Sequence, residues 1–146
     1  MKRFFSVAVL GLSSLAHAQM SPVGLWRSID DSTGQAKAEI SIRDNGQGGL
    51  NGKVERSLLP TPSTEPNCTL CTDDRKGQPK IGMEIIRDAK KAGGDAVWEG
   101  GTILDPNNGK VYKVRLTPKD GGKSLDVRGY IGAPMLGRTQ TWVRVE

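Results

Sequence analysis

Short runs of alternating apolar and polar residues, each cut off by glycine, proline or a cluster of Asp and Asn, leave this chain few ways to fold. In the run 37–43, Ala38, Ile40 and Ile42 fall on one side and Glu39, Ser41 and Arg43 on the other. In the run 110–117, Tyr112, Val114 and Leu116 oppose Lys113 and Arg115. Successive side chains of a strand point to opposite faces, so a period of two reads as a half-buried β-strand. Eight such runs can be laid out, at 23–29, 37–43, 50–57, 81–87, 96–104, 110–117, 124–131 and 138–145. Around the fourth, 83–91 is also compatible with a short helix. Turn chemistry separates the runs. Asp30-Asp31-Ser32-Thr33-Gly34, Asp44-Asn45-Gly46 and Asp105-Pro106-Asn107-Asn108-Gly109 supply carboxylates that bond nearby backbone N–H groups and glycines that accept a positive φ. Gly100-Gly101 interrupts the fifth run and suggests a bulge.

A sheet of sequential antiparallel strands loses its edges only by closing on itself, and eight strands make a small barrel. The predicted fold is therefore all-β: a single eight-stranded antiparallel up-and-down barrel. A long loop, 58–80, joins strands 3 and 4 and carries Pro60, Pro62, Pro66, Pro79 and both cysteines. A two-sheet sandwich is the alternative, but it needs longer crossings than these local turns provide. Closure sets the last strand antiparallel to the first, so late residues of one lie beside early residues of the other. Arg144 is thus expected to pack its guanidinium across the Trp26 ring, with Arg138 near the opposite end. Trp142 and Arg144 share a face of the last strand, so a bulge between them is the expected way to separate their roles.

The first eighteen residues follow a different pattern. Met1-Lys2-Arg3 precedes an apolar run from Phe4 to Leu15 and then Ala16-His17-Ala18. A basic start, a short apolar stretch and a small-x-small site form a secretory signal peptide, and the run is too short to span a bilayer. The expected division is a cleaved signal at 1–18 and a barrel domain at 19–146, exported to the periplasm or beyond. Cleavage leaves 128 of the 146 residues and removes the sole histidine, His17. The loss of Lys2 and Arg3 brings the net charge from +5 to +3. The remaining charges are scattered, without the clustered basic stripe and interleaved aromatics of a nucleic-acid binder. No second stretch has the length of a transmembrane helix.

Few residues carry recognisable chemistry. Cys68-x-x-Cys71 would suggest redox or metal work in a reducing compartment, but export favours a disulfide. Gly77 and Pro79 break any helix after Cys71 that would lower a thiol pKa, and Asp73-Asp74 would raise it. Two thiolates without histidine fall short of a zinc site. Asp30-Asp31 and Asp73-Asp74 are adjacent in sequence and cannot flank a sugar bond at catalytic separation. A nucleophile–base pair of the triad type is not evident, so no catalytic residue, metal or cofactor is assigned and enzyme activity is disfavoured. Trp26, Trp98, Tyr112 and Trp142 are the candidate ligand-contacting residues inside the barrel, with plain core packing as the alternative. Tyr130 falls on the polar face of its strand.

Gly24-Leu25-Trp26 resembles the Gly-x-Trp motif on the first strand of lipocalins, in which a late arginine packs on that tryptophan. More specifically, Gly24-Leu25-Trp26-Arg27-Ser28-Ile29-Asp30-Asp31, Cys68-Thr69-Leu70-Cys71, Asp105-Pro106-Asn107-Asn108-Gly109-Lys110-Val111-Tyr112, Val127-Arg128-Gly129-Tyr130-Ile131-Gly132 and Leu136-Gly137-Arg138-Thr139-Gln140-Thr141-Trp142 together resemble the exported bacterial family called domain of unknown function 2147. The resemblance implies a lipocalin-like barrel in the bacterial envelope and no established activity. Two functions are then expected to compete. One is a binding module for a small apolar or amphipathic ligand. The other is a structural factor with a filled barrel that meets an envelope protein through the 58–80 loop.

Overall fold

A computed structural model describes residues 20–146; the expected signal segment at 1–18 and its cleavage point lie outside the described residues. Eight strands are found among the described residues: β1 (Gly24–Ile29), β2 (Ala36–Asp44), β3 (Leu50–Ser57), β4 (Glu84–Lys91), β5 (Trp98–Leu104), β6 (Val111–Lys119), β7 (Ser124–Tyr130) and β8 (Gly137–Arg144). Each pairs antiparallel with the next, and β8 returns to β1, so the barrel is closed and up-and-down. The turns close as their side chains dictate. Asp30 Oδ1 accepts from the N–H groups of Ser32 and Thr33, both at 2.9 Å. Asp105 Oδ1 accepts from Asn107 N at 2.9 Å, and Asp44 Oδ1 from Gly46 N at 2.7 Å.

β4 begins and ends later than the sequence pattern suggests, and it is a strand rather than a helix. Ile81, Gly82 and Met83 do not open it. Instead, Gly82 N bonds Val54 O at 2.7 Å and Met83 O accepts from Val54 N at 2.9 Å, fastening this segment to β3 before regular pairing starts. Beyond residue 87 the strand continues through Asp88, held at a positive φ of 58°. Its N–H donates to Asn51 Oδ1, and its carboxylate accepts from Asn45 Nδ2 at 2.9 Å. Those bonds, with pairing to β5 from Ile86↔Ile103 to Lys91↔Trp98, outweigh the local helical reading. In β5 the register shifts between Glu99 and Gly101, and Gly100 occupies the bulge with φ 82°.

The core runs the length of the barrel. Trp26, Ile42, Ile86, Val114, Leu116 and Leu125 are fully buried, and Leu104, Cys68 and Cys71 continue it towards the loops. Trp26 Nε1 donates to Pro22 O at 2.7 Å, so the chain before β1 folds beneath the barrel. Arg144 seals the same end. Its guanidinium carbon lies 4.2 Å from the centre of the Trp26 ring. The same group donates to Val23 O at 2.8 Å, Ser21 O at 2.7 Å and Gly122 O at 2.5 Å. Gly24, at φ 146°, is where a Cβ would run into that guanidinium. The β7–β8 register runs unbroken from Tyr130↔Gly137 to Ser124↔Val143, so Trp142 and Arg144 share the inner face without a bulge, one above the other. Tyr130, on the outer side with Arg128, is nevertheless buried, and the short 3₁₀ turn Pro134–Leu136 follows it beside β7.

Closure is uneven. β1 and β8 pair only through Trp26↔Arg144 and Arg27↔Val143, while β2 pairs with β3 over seven positions. Towards the other end of the seam an ion pair between Arg138 and Asp31 bridges the β1–β2 turn and the start of β8.

Candidate functional site

Up-and-down connectivity puts the β1–β2, β3–β4, β5–β6 and β7–β8 connections at one end, opposite the sealed base. That end opens into a cavity of about 840 Å³. Ile40, Val54, Ile85, Ile103, Leu104 and Val127 make an aliphatic wall. Ser28, Ser57, Tyr112 and Gln140 add a few polar groups, and Trp142 closes one side with its Nε1 bonded to Gln140 Oε1 at 3.1 Å. Gly129 contributes a stretch of wall with no side chain. A Cβ there would meet Ile103 and Tyr112 at 3.5 Å, ordinary contact distance, so the missing side chain leaves space that the cavity occupies. An apolar concavity with a small number of placed polar groups is the usual form of a small-molecule site, and this volume lies in the usual range of roughly 300–1,000 Å³.

Tyr112 and Trp142 therefore line the cavity, while Trp26 and Trp98 do not. Trp26 belongs to the base under Arg144. Trp98 is half-buried beside the core, with Lys91 Nζ 5.9 Å from its ring centre. Alternation along a strand tells inside from outside but not base from mouth, so it could not separate the two pairs.

The mouth is built by loops. Residues Pro60, Thr61 and Pro62 of the 58–80 loop, with Ile81, form one lip, and Asp105, Pro106, Asn107 and Asn108 form the facing one. The disulfide-bridged turn of the long loop packs against the second lip. Cys68 and Cys71 are bonded and buried beneath the loop. The Cys68 sulfur lies 3.4 Å from the Pro106 carbonyl oxygen. Gly109, at φ 75°, sits so close to the Leu70–Cys71 backbone that no Cβ fits. Farther along, Arg75 is only 5% exposed, pairs with Asp73 at 2.5 Å and donates to Glu84 O at 2.9 Å. Asp74 takes both nitrogens of Arg87 at 2.9 Å. The acidic pair thus clamps the loop to β4. The Arg75 guanidinium pulls the Asp73 carboxyl down to about 2, and Asp74 pushes the Arg87 guanidinium up.

Three cations, Lys37, Lys80 and Arg138, reach the cavity lining, and sequence patterning singled out none of them for a site. Lys37 arrives through a register shift: Ser28 pairs with Ala38 and Ile29 with Ala36, so Lys37 is skipped and turned towards the mouth. Arg138 is tied to Asp31, whose carboxyl is held below the usual range by that guanidinium. Asp30 is likewise held low, chiefly by the Ser32 hydroxyl, which donates to it at 2.6 Å. Among the described residues no group of three or more His, Cys, Asp or Glu is placed to hold a metal, and no helix is long and apolar enough to cross a membrane.

Fold and cavity together define a lipocalin-like barrel. The Helicobacter pylori protein HP1028, described as belonging to the lipocalin family, superposes with a TM-score of 0.71 at 17% identity, over 85% of this chain and 82% of that one. The chain belongs to the family described as an uncharacterized protein conserved in bacteria, DUF2147, whose model matches residues 24–144. No relative among curated proteins matches it.

Proposed function

We propose that this protein is a non-catalytic binding module that carries a small apolar or amphipathic molecule in the bacterial envelope. One observation carries the reading: an open-mouthed cavity of about 840 Å³ inside a barrel whose base is sealed. Export to the periplasm or beyond is part of the proposal and rests on the pattern of residues 1–18. A structural factor with a filled interior fits less well, because the 58–80 loop lines the cavity mouth and is clamped to the barrel at Cys68, Cys71 and Arg75. The exposed Leu70, at 61%, is what remains in favour of an envelope protein partner at that loop.

Gly129→Leu tests the reading, because its side chain would grow into the cavity from a position where a Cβ meets only ordinary contacts. Titration with the neutral probe N-phenyl-1-naphthylamine, followed by probe and tryptophan fluorescence, should give saturable binding to the native protein. The variant should bind at least tenfold more weakly while melting within a few degrees of native. Equal binding by a folded Gly129→Leu protein would overturn the assignment.

A further inference from the structure

We infer that the ligand is an amphiphile with an oxyanion head, held at the mouth by Lys37 and Lys80 while its apolar tail fills the barrel. The inference rests on the binding function proposed above and narrows its ligand class. Along the wall the chemistry divides by depth. The interior is aliphatic, and the charged lining residues are Lys37, Lys80, Arg138 and a single carboxylate, Asp105. These charges do not all remain available. Arg138 is engaged by Asp31, and Asp105 keeps its negative charge but turns Oδ1 back to the N–H of Asn107 in its own turn. Lys37 forms a long ion pair with Asp30 Oδ2 at 3.8 Å, beyond hydrogen-bond length, so its N–H donors stay free to meet a second acceptor. Lys80 has the amide oxygen of Asn107 at 3.4 Å and, among the described residues, no carboxylate within ion-pair distance. Two ammonium groups with donors to spare therefore stand at the opening of an apolar cavity. A neutral tail alone would leave them unused, and a cationic head would be repelled. A carboxylate or phosphate accepts from both.

The geometry also explains why both lysines are where they are. Lys37 is turned to the mouth by the β1–β2 register shift, and its carbonyl accepts from Leu58 N at 2.8 Å, joining that bulge to the start of the long loop. Lys80 ends the same loop, and its N–H bonds Pro66 O at 2.8 Å. The loop that frames the opening thus fixes a lysine at each of its two ends.

The test compares four twelve-carbon probes at neutral pH and low salt: dodecanoate, dodecyl phosphate, dodecanol and dodecylamine, each by displacement of N-phenyl-1-naphthylamine. Dodecanoate and dodecyl phosphate should bind about three- to tenfold more tightly than dodecanol, as expected for partly exposed charge-assisted bonds, and dodecylamine more weakly than dodecanol. The ratio between the two anions separates a carboxylate source from a phosphate source, and either ratio upholds the inference. Lys37→Gln combined with Lys80→Gln should bring the anions to the level of dodecanol without weakening dodecanol itself. Added salt should shrink the preference in the native protein and leave the double variant unchanged. Equal binding of dodecanoate and dodecanol by the native protein would overturn the inference while leaving the cavity function standing. So would an anion preference that survives both substitutions. Failure of every probe to bind, or binding unaltered in Gly129→Leu, would instead overturn the binding function itself.

Discussion

Arg144 joins two kinds of interaction that usually sit apart, a cation over an aromatic face and a set of hydrogen bonds to backbone carbonyls. Its guanidinium covers Trp26 and donates to Ser21, Val23 and Gly122 together. Truncating it removes the ring contact, about 0.5–2 kcal/mol, and also leaves partly buried carbonyls without a donor. Arg144→Ala should therefore lose about 2–3 kcal/mol and melt roughly 6–12 °C lower, read by circular dichroism. Arg144→Lys should recover little of this, because one ammonium cannot reproduce a planar fork that reaches three carbonyls while stacking on a ring. An unchanged melting temperature in Arg144→Ala would mean that the base is held by Trp26 burial and Pro22 alone. The residue pair was readable from strand direction, since an early residue of β1 must meet a late residue of β8. The parity conflict between Trp142 and Arg144 was real in the sequence, and depth resolves it: one side chain lines the cavity and the other lies under Trp26.

Among the elements, the 58–80 loop was the least legible and bears most on the site. Its prolines and cysteines marked it as irregular, but nothing in its composition announced which strands it would meet. Contacts made far along the chain decide that: Cys68 with Pro106, Leu70 and Cys71 with Gly109, and Arg75 with Glu84. The start of β4 is hidden for the same reason, since Ile81–Met83 look strand-like but are fastened to Val54 through Gly82 and Met83, outside the regular ladder. By contrast, the 105–109 turn and the β6 alternation needed only local chemistry. The disulfide spans a sequence separation of three, so the chain-entropy model gives it only about 1–2 kcal/mol. Replacing both cysteines with serine should lower stability by that amount. Hydrogen exchange should then quicken at the Cys68 and Gly77 amides, which bond Gln78 O and Cys68 O within the loop, and stay unaltered in β6 and β7. Protection lost evenly across the barrel would show that the bridge stabilises the whole fold rather than the loop.

Across the molecule, every carboxyl with a resolved shift moves the same way. Asp30, Asp31, Glu39, Asp73 and Asp74 are all held below their ordinary values by hydrogen bonds or by arginine partners. A carboxyl depressed in the folded state adds stability that is full above its unfolded pKa and is lost as pH falls through the folded one. For Asp73 that interval runs from about 4 down to about 2, and after allowing for solvent screening it amounts to about 1 kcal/mol. The only histidine, His17, lies outside the barrel domain. Thermal melts should thus be flat between pH 5 and 8, decline below pH 4, and decline less in Asp73→Asn. A transition near pH 6 in the barrel domain would contradict this. Fold class was legible at this scale because alternation, turn chemistry and strand number all point to closure. The cavity was not, because its lining is assembled from several strands and two distant loops, and its cations come from a bulge and a loop end. One consequence follows from the short seam between β1 and β8. Where most neighbouring strands are laced along their length, these two are laced only near the base, and higher up a single exposed clasp of Arg138 and Asp31 holds the collar. Unfastening it sacrifices no backbone ladder, so if the proposed cargo is carried, this seam is where the opening should widen first, while the base stays laced.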